Sequence, residues 1–485
     1  MPKLSAAWVI FFILIIAIFL RFNQLSSLPP GLYPDEAMNG NNASEAITTG
    51  EYKVFYPENN GREGLFINFQ ALLLKLIGKN EPWVLRLASA IVGTLTVLGV
   101  FLLTKELFTV RAGLLAAFFM ATSFWHLLFS RIGFRAIAAP FFLAFALYFL
   151  LLALRRARED KDFVWASLLG GIFFGLGFHT YIAYRIMPLL LLPFLFLRRS
   201  KRFYASLALF LIAAFIAGLP LGIYYLKHPA DFMGRTTQGS VFSSSSAALD
   251  LGRNIAKTVG MFFVSGDYNP RHNLAGQPAL FWPVALFFLT GIIIAVKKIF
   301  RRKQTPGDRN ESFPYLLISA WLVLAVLPVV ISNEGIPHAL RSILMLPPAI
   351  ILAAVGGLKL HDLIAKFLSS HWLSAIRVVF IVLFIFEAWS AYFILWANNP
   401  DTSGAFAANY VELGRTLNNI PATVPKYVIV EAGGVDVRGM PMPTQTTMFI
   451  TDTFRPEKQK EKNIYYVLSK DENSIPNGAL RFHLK

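Results

Sequence analysis

Long apolar runs separated by short basic or polar connections fill most of the chain. About 11 of them approach the ~20 residues that a bilayer-crossing helix needs: 5–22, 83–104, 111–129, 136–154, 163–181, 186–197, 203–226, 279–296, 313–332, 341–358 and 374–396. The run 186–197 is short, and Pro188, Pro193 and the flanking Arg185 and Arg198 suit a span extended by its neighbours. No small-x-small cleavage site follows Leu20, so the first run is expected to be a retained span and not a signal peptide. The fifth run carries Gly171-x-x-x-Gly175 and Gly177, a spacing suited to close helix packing.

Three polar stretches interrupt this pattern. The loop from Leu32 to Pro82 predicts two interfacial helices, Asp35–Thr48 between Pro34 and Gly50, and the apolar Gly64–Ile77. The loop Lys227–Pro278, with its run Ser243–Ser246, has no clear period and reads as a mobile cover. From Asn398 the chain turns polar, with expected strands Lys426–Glu431 and Asn463–Leu468 and a helix Phe406–Leu417. The predicted architecture is an α-helical polytopic membrane protein over residues 1–397, plus a small C-terminal extracytoplasmic α/β domain over 398–485.

Composition agrees. The chain is 55% hydrophobic and 15% charged, against about 25% charged in soluble domains. The formal charge of +17 would suit nucleic acid if it were gathered on one surface. It is instead divided among Arg155-Arg156-Ala157-Arg158, Arg198-Arg199-Ser200-Lys201-Arg202, and Lys297-Lys298 with Arg301-Arg302-Lys303, each at the end of an apolar run. That is the positive-inside pattern beside anionic lipid, with no nucleic-acid partner implied. It puts the N-terminus in the cytoplasm of a cell inner (plasma) membrane protein. The loop 32–82, the turns Ser130–Arg135 and His179–Arg185, the loops 227–278 and 333–340, and the tail then face outward. The absence of cysteine excludes disulfides, thiolate metal sites and a Cys nucleophile.

The outward segments hold the candidate chemistry. Tyr33-Pro34-Asp35-Glu36 places two carboxylates at a helix start, and Arg62-Glu63 follows in the same loop. Arg131 and Arg135 stand between spans three and four, and His179, Tyr181 and Arg185 between five and six. His338 and Arg341 open span ten. Arginine binds phosphate with a fixed, always-charged fork, so arginines converging opposite a carboxylate suit a reaction with a phosphate leaving group and a nucleophile that must lose a proton. Plainer readings stand beside this one: a rim arginine anchoring to headgroups, an acidic pair capping a helix, His126 as a hydrogen-bonded core residue. Arg86 suits either Glu63 or lipid. Glu63 with His179 is a candidate pair for a divalent metal. No Walker loop, Rossmann fingerprint, zinc-helix motif or G-x-S-x-G elbow is present, so no nucleotide cofactor is expected.

On Tyr33-Pro34-Asp35-Glu36, Arg62-Glu63-Gly64 through Arg86-Leu87, the Ser130–Arg135 turn, Tyr184-Arg185-x-x-Pro188, and His338-Ala339-Leu340-Arg341 with Pro347-Pro348, the chain resembles the GT-C membrane glycosyltransferases. The resemblance is to their protein O-mannosyltransferase-like group (glycosyltransferase family 39, related to the lipid A aminoarabinose transferases), and it extends to about residue 358. It implies transfer of a sugar, with inversion, from a polyprenyl-phosphate-linked donor to a hydroxyl of a protein, lipid or glycan acceptor at the outer face. Asp35 would be the catalytic base or an acceptor-positioning carboxylate, with Glu36 in support, and Arg131, Arg135, Arg185 and Arg341 would bind the donor phosphate. Glu63 would contact substrate or a metal, and His179, Tyr181 and His338 are the remaining candidates for substrate contact. Where many relatives carry a second acid after span three, this chain has Arg135-Ala136-Ile137-Ala138-Ala139-Pro140. Two other classes stay open: a transporter or flippase of lipid-linked sugars, though no internal repeat supports one, and a noncatalytic subunit of an envelope assembly.

Overall fold

Among the described residues, seven of the apolar runs fold as helices long and apolar enough to cross a bilayer: Pro82–Leu107, Arg135–Arg158, Lys201–Lys227, Trp282–Phe300, Glu311–Val330, Ile343–Ile364 and Ser370–Trp396. The computed structural model describes residues 5–197, 200–237, 241, 246–301, 306–332 and 335–485. Arg198, Arg199, Arg302, Lys303, Asn333 and the run Ser243–Ser245 lie outside the described residues.

The other four runs form shorter apolar elements. Residues 5–22 give the helix Ala6–Phe22. The third run breaks at Ser123, whose hydroxyl accepts from the His126 N–H and caps the short helix Phe124–Phe129. The run 186–197 becomes a 3₁₀ helix, Ile182–Phe196, because Pro188 and Pro193 each remove a backbone donor from its interior. The fifth gives Val164–Gly177, and its glycines do what their spacing predicts. A Cβ at Gly171 or Gly175 would collide with the carbonyls of Phe210 and Ala214, so these small residues let Lys201–Lys227 lie against this helix backbone to backbone. Phe215, Ile216, Val378 and Val379 point outward with more than half their surface exposed, as side chains facing lipid do.

The first loop folds inward. The helix Pro34–Thr49 begins with Pro34 in its first turn and a capping box in which the Tyr33 N–H donates to Glu36 Oε1 at 3.4 Å; it ends at left-handed Gly50. It was expected to lie in the membrane interface, yet Asn39, Asn41 and Asn42 are buried. They need protein partners, and a helix so polar has no stripe to offer lipid. The partners are the Gly133 carbonyl in the turn after the third run, Arg62 of the same loop, and Gln445 of the C-terminal region. Gly64–Ile77 is a helix with the predicted bounds, burying Phe66, Ile67, Ala71 and Leu74.

In the C-terminal region, strands Ile464–Leu468, Lys426–Val430 and Leu480–Leu484 form a parallel sheet with Lys426–Val430 in the centre, flanked by the helix Ala408–Asn419. This region sits on the first loop. Asn41 Nδ2 donates to Gln445 Oε1 at 2.9 Å, the Thr446 hydroxyl donates to the Leu32 carbonyl at 2.9 Å, and Gly40 leaves room for the Phe449 ring. The loop 227–278 contains the helices Pro229–Thr237 and Ala247–Gly260, where the sequence suggested no regular structure.

Candidate active site

Between the first loop and the helix ends lies a cavity of about 600 Å³. Among the residues named from sequence, Asp35, Arg135, Tyr181, Arg185, His338 and Arg341 line it, from four separate segments of the chain. Asp35 reaches it from the second position of the helix Pro34–Thr49. The turn after Tyr56 holds Asn59 and Asn60 at positive φ (52° and 62°), a conformation that asparagine tolerates, and Asn59 Nδ2 donates to Asp35 Oδ1. The same loop brings in Arg62, which the sequence reading named beside Glu63 but gave no role: its fork donates to Asn39 Oδ1 at 2.7 Å and Asn42 Oδ1 at 2.5 Å.

The arginines are held in place by partners that leave them facing the cavity. Arg135 Nε donates to Glu63 Oε2 at 2.7 Å, while its Nη2 is buried with no hydrogen-bond partner. Arg185 donates to the Phe232 carbonyl and the Tyr225 hydroxyl, both at 2.9 Å, and lies 4.4 Å from the centre of the Phe232 ring. Arg341 Nη1 donates to the Ser332 hydroxyl. Four guanidinium groups and one carboxylate thus border one space.

The remaining candidates fall elsewhere, each for a physical reason. Glu36 is fully buried: Arg86 donates to Oε2 at 3.0 Å and Oε1 at 3.1 Å, and the Gly133 N–H to Oε2 at 2.6 Å. Arg86 also donates to the Pro29 and Gly31 carbonyls, so its partner is neither Glu63 nor lipid. The ion pair locks the loop start to the helix Pro82–Leu107, and the Gly133 N–H ties it to the turn between the third and fourth runs. Arg131 has no exposed surface; it donates to the Leu20 and Leu28 carbonyls and packs over the Tyr392 and Phe393 rings, away from the cavity. His179 bonds the Ala217 carbonyl at 3.0 Å, and Glu63 engages Arg135, so the suggested metal pair is committed to other partners. His126 sits buried 2.8 Å from Arg21 Nη2, a core contact.

A second cluster adjoins the cavity at His338. The His338 and His272 rings stack at 4.8 Å, and Asp267 Oδ2 lies 3.1 Å from His272 Nδ1 and 3.8 Å from His338 Nδ1. Burial, then His272 and Arg341, push the His338 imidazole down to about 3, so it is neutral at pH 7. Burial also lowers His272, against the pull of Asp267. Next to them, Arg271 stacks 4.0 Å over the Tyr33 ring; burial first, and then Asp35, raise the Tyr33 phenol against the opposing effect of Arg271. The dense polar run Gly266-Asp267-Tyr268-Asn269-Pro270-Arg271-His272-Asn273 was the available sequence signal for this cluster, hidden in a loop read only as a cover.

The family described as dolichyl-phosphate-mannose-protein mannosyltransferase has a profile that matches residues 65–223. No curated protein matches the chain in sequence. Solved structures do match in shape. The Archaeoglobus fulgidus oligosaccharyltransferase, tethered to an acceptor peptide containing an NVT sequon, superposes with a TM-score of 0.58 at 14% identity. That alignment covers 96% of this chain and 64% of the archaeal one, so the chain spans just under two thirds of its length. ArnT from Cupriavidus metallidurans superposes in its apo state with a TM-score of 0.59 at 14% identity, over 98% of this chain and 89% of ArnT. The same protein bound to undecaprenyl phosphate gives a TM-score of 0.56 at 13% identity, covering 99% and 90%. Likeness at such identities speaks to architecture alone, and with the apolar helices it makes the chain a multi-pass membrane protein with the GT-C glycosyltransferase fold.

Proposed function

We propose that the chain is a glycosyltransferase moving a sugar from a polyprenyl-phosphate-linked donor to an acceptor hydroxyl at the outer face of the membrane, with inversion. The observation that carries the reading is the convergence of Asp35 with Arg62, Arg135, Arg185 and Arg341 on one cavity. A related fold holding undecaprenyl phosphate in ArnT supports the same class of donor.

In this mechanism Asp35, with Oδ1 held by Asn59, accepts the acceptor's hydroxyl proton. The freed oxygen bonds to the anomeric carbon on the face opposite the phosphate. The bond from that carbon to the phosphate oxygen breaks, and the electron pair leaves with the polyprenyl phosphate. Its growing charge is met by arginines already in place around the cavity, Arg62, Arg135, Arg185 and Arg341. Glu36 takes no part beyond fixing the helix start. Attack from the opposite face inverts the anomeric centre.

The test is transfer from radiolabelled polyprenyl-phosphate sugars by purified protein. Asp35→Asn is expected to lower the rate by about 10²–10⁴-fold, the usual range for a lost general base, with thermal stability retained. Undiminished transfer in a folded Asp35→Asn protein would overturn the assignment. Donor binding without turnover in the wild type, over a panel of acceptors, would point to a lipid-linked-sugar transporter.

A further inference from the structure

We propose that Asp267, His272 and His338 form a binding site for one divalent transition-metal ion of the zinc class. One ligand atom from each of the three lies within 4.8 Å of the other two, and Asp267 Oδ2 faces both His272 Nδ1 and His338 Nδ1. Tetrahedral zinc, with bonds of about 2.0–2.2 Å, sets its ligand atoms about 3.3–3.5 Å apart. The two gaps from Asp267 Oδ2, 3.1 Å and 3.8 Å, already bracket that spacing, so a small tilt of the stacked rings closes the third.

Three further features favour a ligand set over a simple ion pair. The two loops that supply it are tied together, since the Ala339 N–H donates to Asp267 Oδ2 at 2.9 Å and brings His338 to its place. Asp267 Oδ1 accepts from the Asn269 N–H at 2.8 Å, which fixes the carboxylate plane. His338 Nδ1 accepts only a long hydrogen bond, 3.5 Å from the Arg341 N–H, which a metal ion at the same lone pair would replace. His272 becomes a ligand by moving its proton from Nδ1 to Nε2, with no net proton release. Two imidazoles and one carboxylate suit zinc-class ions; magnesium and calcium prefer all-oxygen sets. The fourth position opens through His338 onto the cavity, where water or an anionic ligand's oxygen completes the tetrahedron.

Metal binding is independent of the glycosyl-transfer reading, and its test needs no substrate. The full-length purified protein is stripped with chelator, then titrated with zinc against a chromophoric competitor, with bound metal counted by mass spectrometry. One equivalent is expected, with a rise in Tm on adding zinc. His338→Gln and His272→Gln should each weaken binding at least about tenfold and abolish the Tm rise. His338→Gln should keep its chelator-treated Tm, because its own polar contacts are long. No stoichiometric uptake by the wild type would overturn the proposal and leave Asp267 as a protein-only pin between two loops. Uptake undiminished in both variants, or a preference for magnesium, would overturn it as well.

Discussion

Asp35 and Glu36 are neighbours in sequence, and a helix turns about 100° between successive residues, so only one of them faces the cavity. Glu36, at the third helical position, reaches back to the Tyr33 N–H and is sealed against Arg86. Removing one partner of such a fully buried pair strands the other charge, at a cost of about 3–5 kcal/mol. Glu36→Gln and Arg86→Ala are therefore expected to lose the folded peak in size-exclusion chromatography or to melt far earlier, whereas Asp35→Asn stays folded. Arg135→Ala should keep the fold and weaken donor binding, read as a rise in KM for the lipid-linked sugar. From sequence alone the two acids were equivalent, since a helix N-terminus favours either. What separates them is Arg86, 50 residues away, whose partner no local pattern reveals. Arg131 was misplaced for the same reason: its carbonyl partners lie about a hundred residues upstream and its ring partners about 260 downstream.

The first loop and the C-terminal region meet through Arg438. Its Nη1 and Nη2 hold Glu45 at 2.8 and 2.9 Å, and Nη2 holds Glu58 at 2.7 Å. Glu58 precedes Asn59, the residue that bonds Asp35. An ion pair this exposed stabilises by at most about 1 kcal/mol, so Arg438→Ala should lower Tm slightly. Its larger effect should be on kcat, through looser placement of Asn59 and Asp35, and Arg438→Lys should restore part of it. Burial alone would raise the Glu58 carboxyl, but the Arg438 hydrogen bonds bring it below its ordinary 4.5. The unfolded chain then binds more protons than the folded one as the pH falls below 4.5. The clamp's contribution is present above that pH and is lost below it, so the Tm gap between wild type and Arg438→Ala should shrink between pH 7 and pH 4. At this scale the legible elements were those with their own punctuation. Gly64–Ile77 was readable because glycines bound it, whereas Ala247–Gly260 was hidden by the polar composition of its loop.

Taken whole, the molecule has two unlike ends. The helix Arg135–Arg158 starts at the cavity and finishes in Arg155, Arg156 and Arg158, so the cavity and the C-terminal region lie at the end opposite this basic cluster. The absence of cysteine makes sidedness directly measurable. In intact cells an impermeant maleimide should label Lys470→Cys, and should reach Lys161→Cys only after permeabilisation; both positions are exposed. The reverse pattern would invert the expected topology. Hydropathy made the apolar runs legible, since lipid allows few alternatives to an apolar helix. It said nothing of how the C-terminal region seats on the first loop, because that contact joins polar residues across the whole chain. Asn41, made early, finds its partner Gln445 only 404 residues later. At ribosomal speeds of roughly 5–20 residues per second, the helix bearing Asp35 waits tens of seconds for its roof. A nascent chain thus carries its proposed base on an unsupported segment, and competence would arrive only as the last residues are delivered.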